Sequence, residues 1–264
     1  MNIALLTDFG LQDIYVGVLK GVISNISRDL TIVDLTHNIP PQDVFKASFC
    51  LGNAFAYFPA DTVYVAVVDP GVGSQRRAIA LECANGAYLV GPDNGIFTGI
   101  LNQIKVIAAR ELTNPDYWRS HNPSYTFHGR DIFAPVGAHL ASGVAFTELG
   151  NSIEVDSLVR LPLPSYQLTS EGIRGVIQDI DHFGNLISNI PAKVVEGKTW
   201  FVEVVGIMIK SQTSYSGQKL GELLALINSE GWLEIAVNGG NAAHRLKLKL
   251  GDCILVKIEE KNNR

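Results

Sequence analysis

Up to about residue 150 the chain alternates short β-branched runs with stretches of helical spacing, which narrows the possible folds sharply. Residues 3–7 are a compact apolar run, and 13–26 place Ile14, Val18, Val22 and Ile26 four apart, as on one side of a helix. Residues 31–35 read as the next strand. A second helix is predicted over 42–58, with Pro40 and Pro41 before it and Pro59 closing it. Further strands are predicted at 62–68, 78–81, 87–90 and 104–108. Such alternation implies an α/β unit, a mainly parallel sheet flanked by helices.

Beyond Leu163-Pro164-Ser165 the texture changes. Strands are predicted at 173–180, 200–205, 223–227, 232–237 and 254–258. Turn signals separate them: Phe183-Gly184-Asn185, Ser216-Gly217, Ser229-Glu230-Gly231 and Asn238-Gly239-Gly240. That pattern suggests a small all-β barrel or sandwich. The expected division is an α/β domain over 1–160 and a smaller β domain over 161–264.

Composition excludes several classes of function. A chain of 264 residues with 47% apolar and 18% charged residues buries a large core. Its net charge of −5 speaks against a nucleic-acid surface, which needs clustered Lys and Arg. Apolar stretches break well short of the ~18 residues of a membrane span. The start, Met1-Asn2-Ile3-Ala4-Leu5-Leu6-Thr7-Asp8, lacks a basic flank and reads as a strand, not a signal peptide. Cys50, Cys83 and Cys253 are odd in number and form no Cys-x-x-Cys, so they read as buried thiols of a reducing compartment, the cytoplasm. No His-x-His, His-Glu-x-x-His or Cys pair suggests metal ligands.

Three residues invite a chemical reading. Asp69 ends the 62–68 run, a Pro-Gly turn follows, and Arg76 or Arg77 lies close enough to fold back over it. His128, within Phe127-His128-Gly129-Arg130-Asp131, stands at the mouth of a predicted helix. A carboxylate, a guanidinium and an imidazole brought together can hold a small nucleophile such as water. Asp8 shares the context of Asp69, a carboxylate after a strand's C-terminal end, where open α/β sheets bind ligands. Acceptor-only carboxylates there suit the paired hydroxyls of a ribose. The structural alternatives are a helix cap for either Asp, a surface ion pair for the arginine and a helix-start role for His128. His37, His121, His139, His182 and His244 read as structural. In the β domain, 181–185, 228–231 and 238–241 serve either as hairpin turns or as hydrogen-bonding groups for a purine and an amino-acid tail.

The ordered set Thr7-Asp8-Phe9-Gly10, Asp34-Leu35-Thr36-His37, Val68-Asp69-Pro70-Gly71-Val72-Gly73, Gly91-Pro92-Asp93-Asn94-Gly95, Phe127-His128-Gly129-Arg130-Asp131, Asp181-His182-Phe183-Gly184-Asn185 and Asn228-Ser229 spans nearly the whole chain. It resembles the S-adenosyl-L-methionine (SAM) hydroxide adenosyltransferase family, relatives of the SAM-dependent fluorinase and chlorinase. The resemblance implies an N-terminal α/β domain, a C-terminal β-barrel and a homotrimer, each ligand lying between the N-domain of one subunit and the C-domain of the next. It also implies a reaction, SAM and water giving adenosine and L-methionine, with SAM as substrate and no cofactor. The family's Asp-Arg-His set matches Asp69, Arg76 and His128, and its ribose-binding carboxylate matches Asp8. Residues near the methionine and adenine match Asp181, Asn185, Ser229, Glu230, Val237 and Asn238, with Tyr215 an aromatic neighbour.

This sequence departs from the halogenating relatives. It carries Asp69 where they have an uncharged residue, His128-Gly129 in place of their halide loop, and Gln42 where the fluorinase has a tryptophan. A negative Asp69 repels a halide but can orient water. On this reading His128, held by its neighbours, takes the water's proton while Arg76 favours hydroxide character, and the sequence leaves open which member of the Asp-Arg-His set is the acceptor. Two alternatives remain: a halide-using adenosyltransferase giving 5′-chloro-5′-deoxyadenosine, and a non-catalytic adenosine or SAM sensor.

Overall fold

The computed structural model describes residues 1–259, which divide into two compact units, Met1–Leu161 and the remainder from Pro162. The first unit contains β1 (Asn2–Thr7), α1 (Tyr15–Ile26), β2 (Thr31–Thr36), α2 (Val44–Ala54), β3 (Val63–Val67), β4 (Ala78–Cys83), β5 (Tyr88–Pro92), α3 (Thr98–Leu101), β6 (Val106–Glu111), α4 (Ala134–Ala141) and β7 (Asn151–Ser152). Its sheet has the order β2-β1-β3-β5-β4-β6-β7.

Strand alternation divides the core between the two faces of this sheet. Ile3, Leu5, Val63, Val65 and Val67 point to one side, where Leu19 and Ile23 of α1 and Val136 and Leu140 of α4 cover them. Ala4, Leu6, Tyr64 and Ala66 point to the other, against Ala47 and Leu51 of α2 and Ile100 of α3. Both faces are therefore dry, which suits the near-continuous apolar runs of β1 and β3. The buried residues of α1 are Val16, Leu19 and Ile23, while Ile14 precedes the helix and is 75% exposed. The apolar stripe is thus rotated from the one expected.

The sheet is mixed. β1, β2, β3 and β5 run parallel, whereas β4 pairs antiparallel with both β5 and β6, and β6 with β7. Only a tight turn at Asn85-Gly86 joins β4 to β5, too short for the crossover that a parallel pair needs.

The second unit is antiparallel throughout its strand ladders: β8 (Gln167–Thr169), β9 (Gly172–Ile180), β10 (Leu186–Pro191), β11 (Trp200–Val204), β12 (Ile207–Lys210), β13 (Leu223–Ile227), β14 (Trp232–Val237) and β15 (Cys253–Ile258), with a short α5 (Ala242–Leu246). Its order is β12-β11-β15-β9-β10-β14-β13, with β8 added on β9. The Gln212 amide donates to the Ala225 carbonyl at 2.7 Å, bringing the two ends of the sheet together into a nearly closed barrel. Ile173, Ile177, Leu186, Trp200, Val202 and Ile235 fill it. Among the described residues, no helix is long and apolar enough to cross a membrane.

Candidate active site

In the first unit the decisive segment is the loop 68–77. β4 runs against β5, so its first residue lies at the sheet edge where β3 ends. The loop therefore leaves and re-enters the sheet at one edge, and two turns inside it, Val72 N–H to Asp69 O and Ser74 N–H to Gly71 O, fold it back. Gly73 has φ +76°, and a Cβ there would lie 2.4 Å from the Tyr125 carbonyl oxygen, so the loop packs backbone to backbone on the segment leading to His128.

That geometry returns Arg76 to Asp69. Arg76 Nε donates to Asp69 Oδ1 at 3.0 Å and Nη2 donates to Oδ2, a bidentate pair whose side chains are only 7% and 5% exposed. Arg77 goes elsewhere: its guanidinium binds Asp93, at 2.9 Å from Nε and 2.5 Å from Nη2, and reaches Ser157. Arg76 Nη2 also lies 3.1 Å from His128 Nδ1. The three residues named from the sequence thus form one contiguous cluster. Buried Phe133 lies beneath it, its ring centroid 5.4 Å from the Arg76 guanidinium carbon and 6.5 Å from the His128 ring.

The Arg76 contact defines the His128 ring. A guanidinium only donates, so Nδ1 must be the unprotonated, accepting nitrogen, and a neutral ring then carries its hydrogen on Nε2. Burial first, then the Arg76 charge, pushes the imidazole below its usual range, against opposing pulls from Asp69 and Asp131. A neutral His128 in this arrangement offers an N–H donor at Nε2.

His128 caps a single π-helical turn, Gly129–Phe133, that leads into α4. Fully buried Asp131 secures this turn, accepting from Arg119 Nε at 2.6 Å, from Arg130 Nε and Nη2 at 2.7 Å, and from the Ser124 amide at 2.8 Å. Burial disfavours its charge, but the guanidinium and amide donors prevail and hold the carboxyl well below the carboxylate range.

Asp8 follows β1, as expected, and its Oδ2 accepts the Gln42 amide at 2.8 Å. Gln42 adopts φ +66°, a left-handed backbone, and helix α2 therefore starts only after it, with Asp43 as cap to the Lys46 amide. Beneath Asp8, buried Thr7 Oγ1 meets His37 Nδ1 at 2.8 Å, and His37 Nε2 lies 3.1 Å from Asp34. Phe9 packs edge-on against Phe127, 5.6 Å between centroids, which sets the Asp8 segment beside the His128 turn.

The second unit contains a cavity of about 520 Å³ lined by Phe183, Asn185, Tyr215, Val237, Gly239 and Gly240. Asp181 shapes one wall. Its Oδ1 accepts the Phe183 and Asn185 amides at 2.9 and 2.8 Å, and its Oδ2 accepts Asn185 Nδ2 at 2.9 Å. Gly184, at φ +81°, makes the turn between them. A carboxylate only accepts, so the Asn185 amide nitrogen must face it, leaving the amide oxygen and the second N–H to a ligand. Tyr215 donates to buried Glu234 at 2.8 Å. Ser229 and Glu230 are exposed and bond to each other, and Asn238 holds the Gln218 carbonyl; none of these three lines the cavity. Asn185, Tyr215 and Val237 do, with Asp181 behind Asn185.

Sequence reasoning missed Glu234, Asp131 and the Thr7–His37 brace. Thr7 offered a signal, a polar residue closing an apolar run, whereas Glu234 falls on the outward phase of its strand and Asp131 lies in a polar motif.

The family descriptions "SAM hydroxide adenosyltransferase N-terminal domain" and "SAM hydroxide adenosyltransferase C-terminal domain" match residues 3–150 and 175–255. The chain belongs to this family. Relatives named (R)-S-adenosyl-L-methionine hydrolase include one from Salinispora arenicola, 40% identical over 255 residues (96% of this chain, 97% of that one). Another, from Thermus thermophilus, is 41% identical over 254 residues (93% and 95%). A fluorinase from Actinoplanes is more distant, at 29%. A crystal structure described as an uncharacterized conserved protein from Thermotoga maritima superposes with a TM-score of 0.90 at 39% identity, covering 96% of this chain and 99% of that one.

Proposed function

We propose that this family member hydrolyses SAM, the (R) form named for its relatives, to adenosine and L-methionine. A water held by Asp69, Arg76 and His128 attacks the ribose C5′ in line with the sulfonium. The observation that carries this reading is the convergence of those three side chains on one sheet edge. Methionine leaves as a neutral thioether, so no acid is needed on the leaving side. Delivery of the nucleophile is the main task, and orientation is worth about 7–11 kcal/mol. His128 Nε2–H donates to the water oxygen. The new C5′–O bond makes that oxygen an oxonium, acidic enough to give its proton to Asp69, whose oxygens keep lone pairs beyond those that Arg76 occupies. The Asp69 charge disfavours a halide in the same place.

Asp8 takes the ribose hydroxyls on this reading. The uncommitted oxygen and N–H of Asn185 match the amino group and ring nitrogen of adenine, the bidentate pairing that Asn makes with that base. The remaining matched residues, Ser229, Glu230 and Asn238, belong with the amino-acid tail. The reading calls on no cofactor. It includes a cytoplasmic homotrimer in which a neighbour's second unit completes each site. The exposed Leu11, Ile14 and Tyr15, on the segment beside Phe9 and Phe127, support a covered face there.

The test is turnover of SAM in ¹⁸O-water with high chloride, followed by mass spectrometry. One ¹⁸O in the 5′-hydroxyl of adenosine is expected. A chlorinated nucleoside as main product, or tight binding without methionine release and no effect of Asp69→Ala, overturns it.

A further inference from the structure

Glu234 has no part in the chemistry above, yet it occupies an unusual place. On β14 the residues Leu233, Ile235 and Val237 point into the barrel core, whereas Glu234 and Ala236 face the other side, with Leu224 and Leu226 of β13. A carboxyl there, at 2% exposure, is costly to bury unless it is hydrogen-bonded. Its Oε1 accepts the hydroxyl of Tyr215 at 2.8 Å. Burial first, with smaller pushes from the charges of Asp181 and Glu230, raises the Glu234 carboxyl above its ordinary value, against the opposing hydrogen bonds of Tyr215 and Asn228. Burial and Glu234 likewise push the phenol up, so it stays a donor.

Tyr215 begins a short 3₁₀ turn, Tyr215–Gly217, in the loop between β12 and β13, and the turn has no side-chain cap. The residue is 44% exposed and lines the cavity. A ring so placed would swing about its Cα–Cβ bond, carrying the hydroxyl several ångströms. A hydrogen bond at the far end of the ring stops that swing. We infer that Glu234 is a positioning residue, which pins the Tyr215 hydroxyl and so holds its ring as a fixed wall for the flat base of the bound nucleoside. This rests on the proposal that the cavity receives the adenine.

The test compares Glu234→Leu, Glu234→Gln, Tyr215→Phe and the Leu/Phe double variant in the full chain. Adenosine affinity is read by calorimetry, SAM turnover by methionine release, and Tyr215 ring motion by aromatic ¹³C NMR without ligand. Loss of one such hydrogen bond predicts about a two- to twelve-fold rise in adenosine Kd and SAM KM for Glu234→Leu, with the loss falling on KM rather than kcat. Tyr215→Phe should match it, the double variant should be no worse than either, and Glu234→Gln, which keeps an acceptor, should recover most of the loss. The Tyr215 signals should average in the leucine variant. Additive losses, an unchanged Kd in a folded Glu234→Leu, or a ring as rigid as in the parent would overturn the inference. If the leucine variant does not fold, Tyr215→Phe breaks the same contact from the other side, and an unchanged Kd there would equally overturn it. Failure of the parent protein to bind adenosine would overturn the base assignment instead, with the ligand-free NMR still deciding whether the ring is pinned.

Discussion

Replacing Arg76 with methionine removes the centre of the cluster while leaving its volume nearly filled. Asp69 would keep its charge at 5% exposure and lose both guanidinium bonds. The Arg77 carbonyl, which accepts Arg76 Nη1 at 3.0 Å, would lose a donor too. Breaking a buried pair by removing one partner costs about 3–5 kcal/mol, mostly the penalty on the charge left behind. At about 2–4 °C per kcal/mol for a unit of this size, the melting transition of the first unit should fall by roughly 6–20 °C. Adding Asp69→Asn removes the stranded charge, so the double variant should recover most of that loss, with a coupling of about 2–3 kcal/mol. Neither variant should regain turnover, because the water has lost its holders; a fall of at least about 10²-fold is expected. Thermal and urea unfolding of the four proteins, with methionine release as the activity measure, decides the matter. An Arg76→Met protein melting within about 2 °C of the parent would refute the reasoning, as would strict additivity or an active double variant.

Two further outcomes follow from the same geometry. An unfolded imidazole titrates near 6.5 and His128 lies lower when folded, so between those values the unfolded chain binds more protons. The His128 contribution to stability is therefore complete above about pH 6.5 and is lost as pH falls through the folded value. A ¹⁵N-imidazole titration should show the Nε2–H form titrating below the ordinary value, with the acid loss of stability reduced in His128→Gln; an Nδ1–H form would refute the assignment. His139, also lowered by burial, remains in both proteins and cancels. Asp181→Asn frees the Asn185 amide to turn, so the preference for adenosine over inosine, expected at about 10- to 100-fold in the parent, should shrink severalfold. An unchanged ratio by calorimetry would show that Asp181 does not set the polarity of that wall.

Local signals and pair partners were not equally legible in the sequence. β13 and β14 match their predicted ranges because Ser229-Glu230-Gly231, with Gly231 at φ +80°, marks the turn between two apolar runs. β10 went unseen because buried Ser188 and Asn189 interrupt its pattern. Asn189 Oδ1 takes the Val176 amide, so a polar side chain stands in for a ladder partner. β4 answers to the strand predicted at 78–81, but its antiparallel direction was not legible, since periodicity reports which face a residue lies on and not the direction of the neighbouring strand. In the site, Asp69 and an arginine near it could be named from spacing, but Arg76 and Arg77 could not be separated: adjacent side chains diverge, and the structure sends one to Asp69 and the other to Asp93. Glu234 reads as solvent-facing in a strand alternation, and its burial, on the face shared with Leu224, Leu226 and Ala236 and under the loop carrying Tyr215, comes from tertiary contacts.

The reversal of β4 has a consequence for how such chains can diversify. Residues 68–77 are joined at both ends to strands whose ladder partners lie outside the loop, β1 and β5 for β3, and β5 and β6 for β4. They act as a cassette: charges exchanged together, as a matched pair, leave the framework threaded as before. A single scaffold can in this way be retuned from one attacking species to another by editing one short excursion of the backbone.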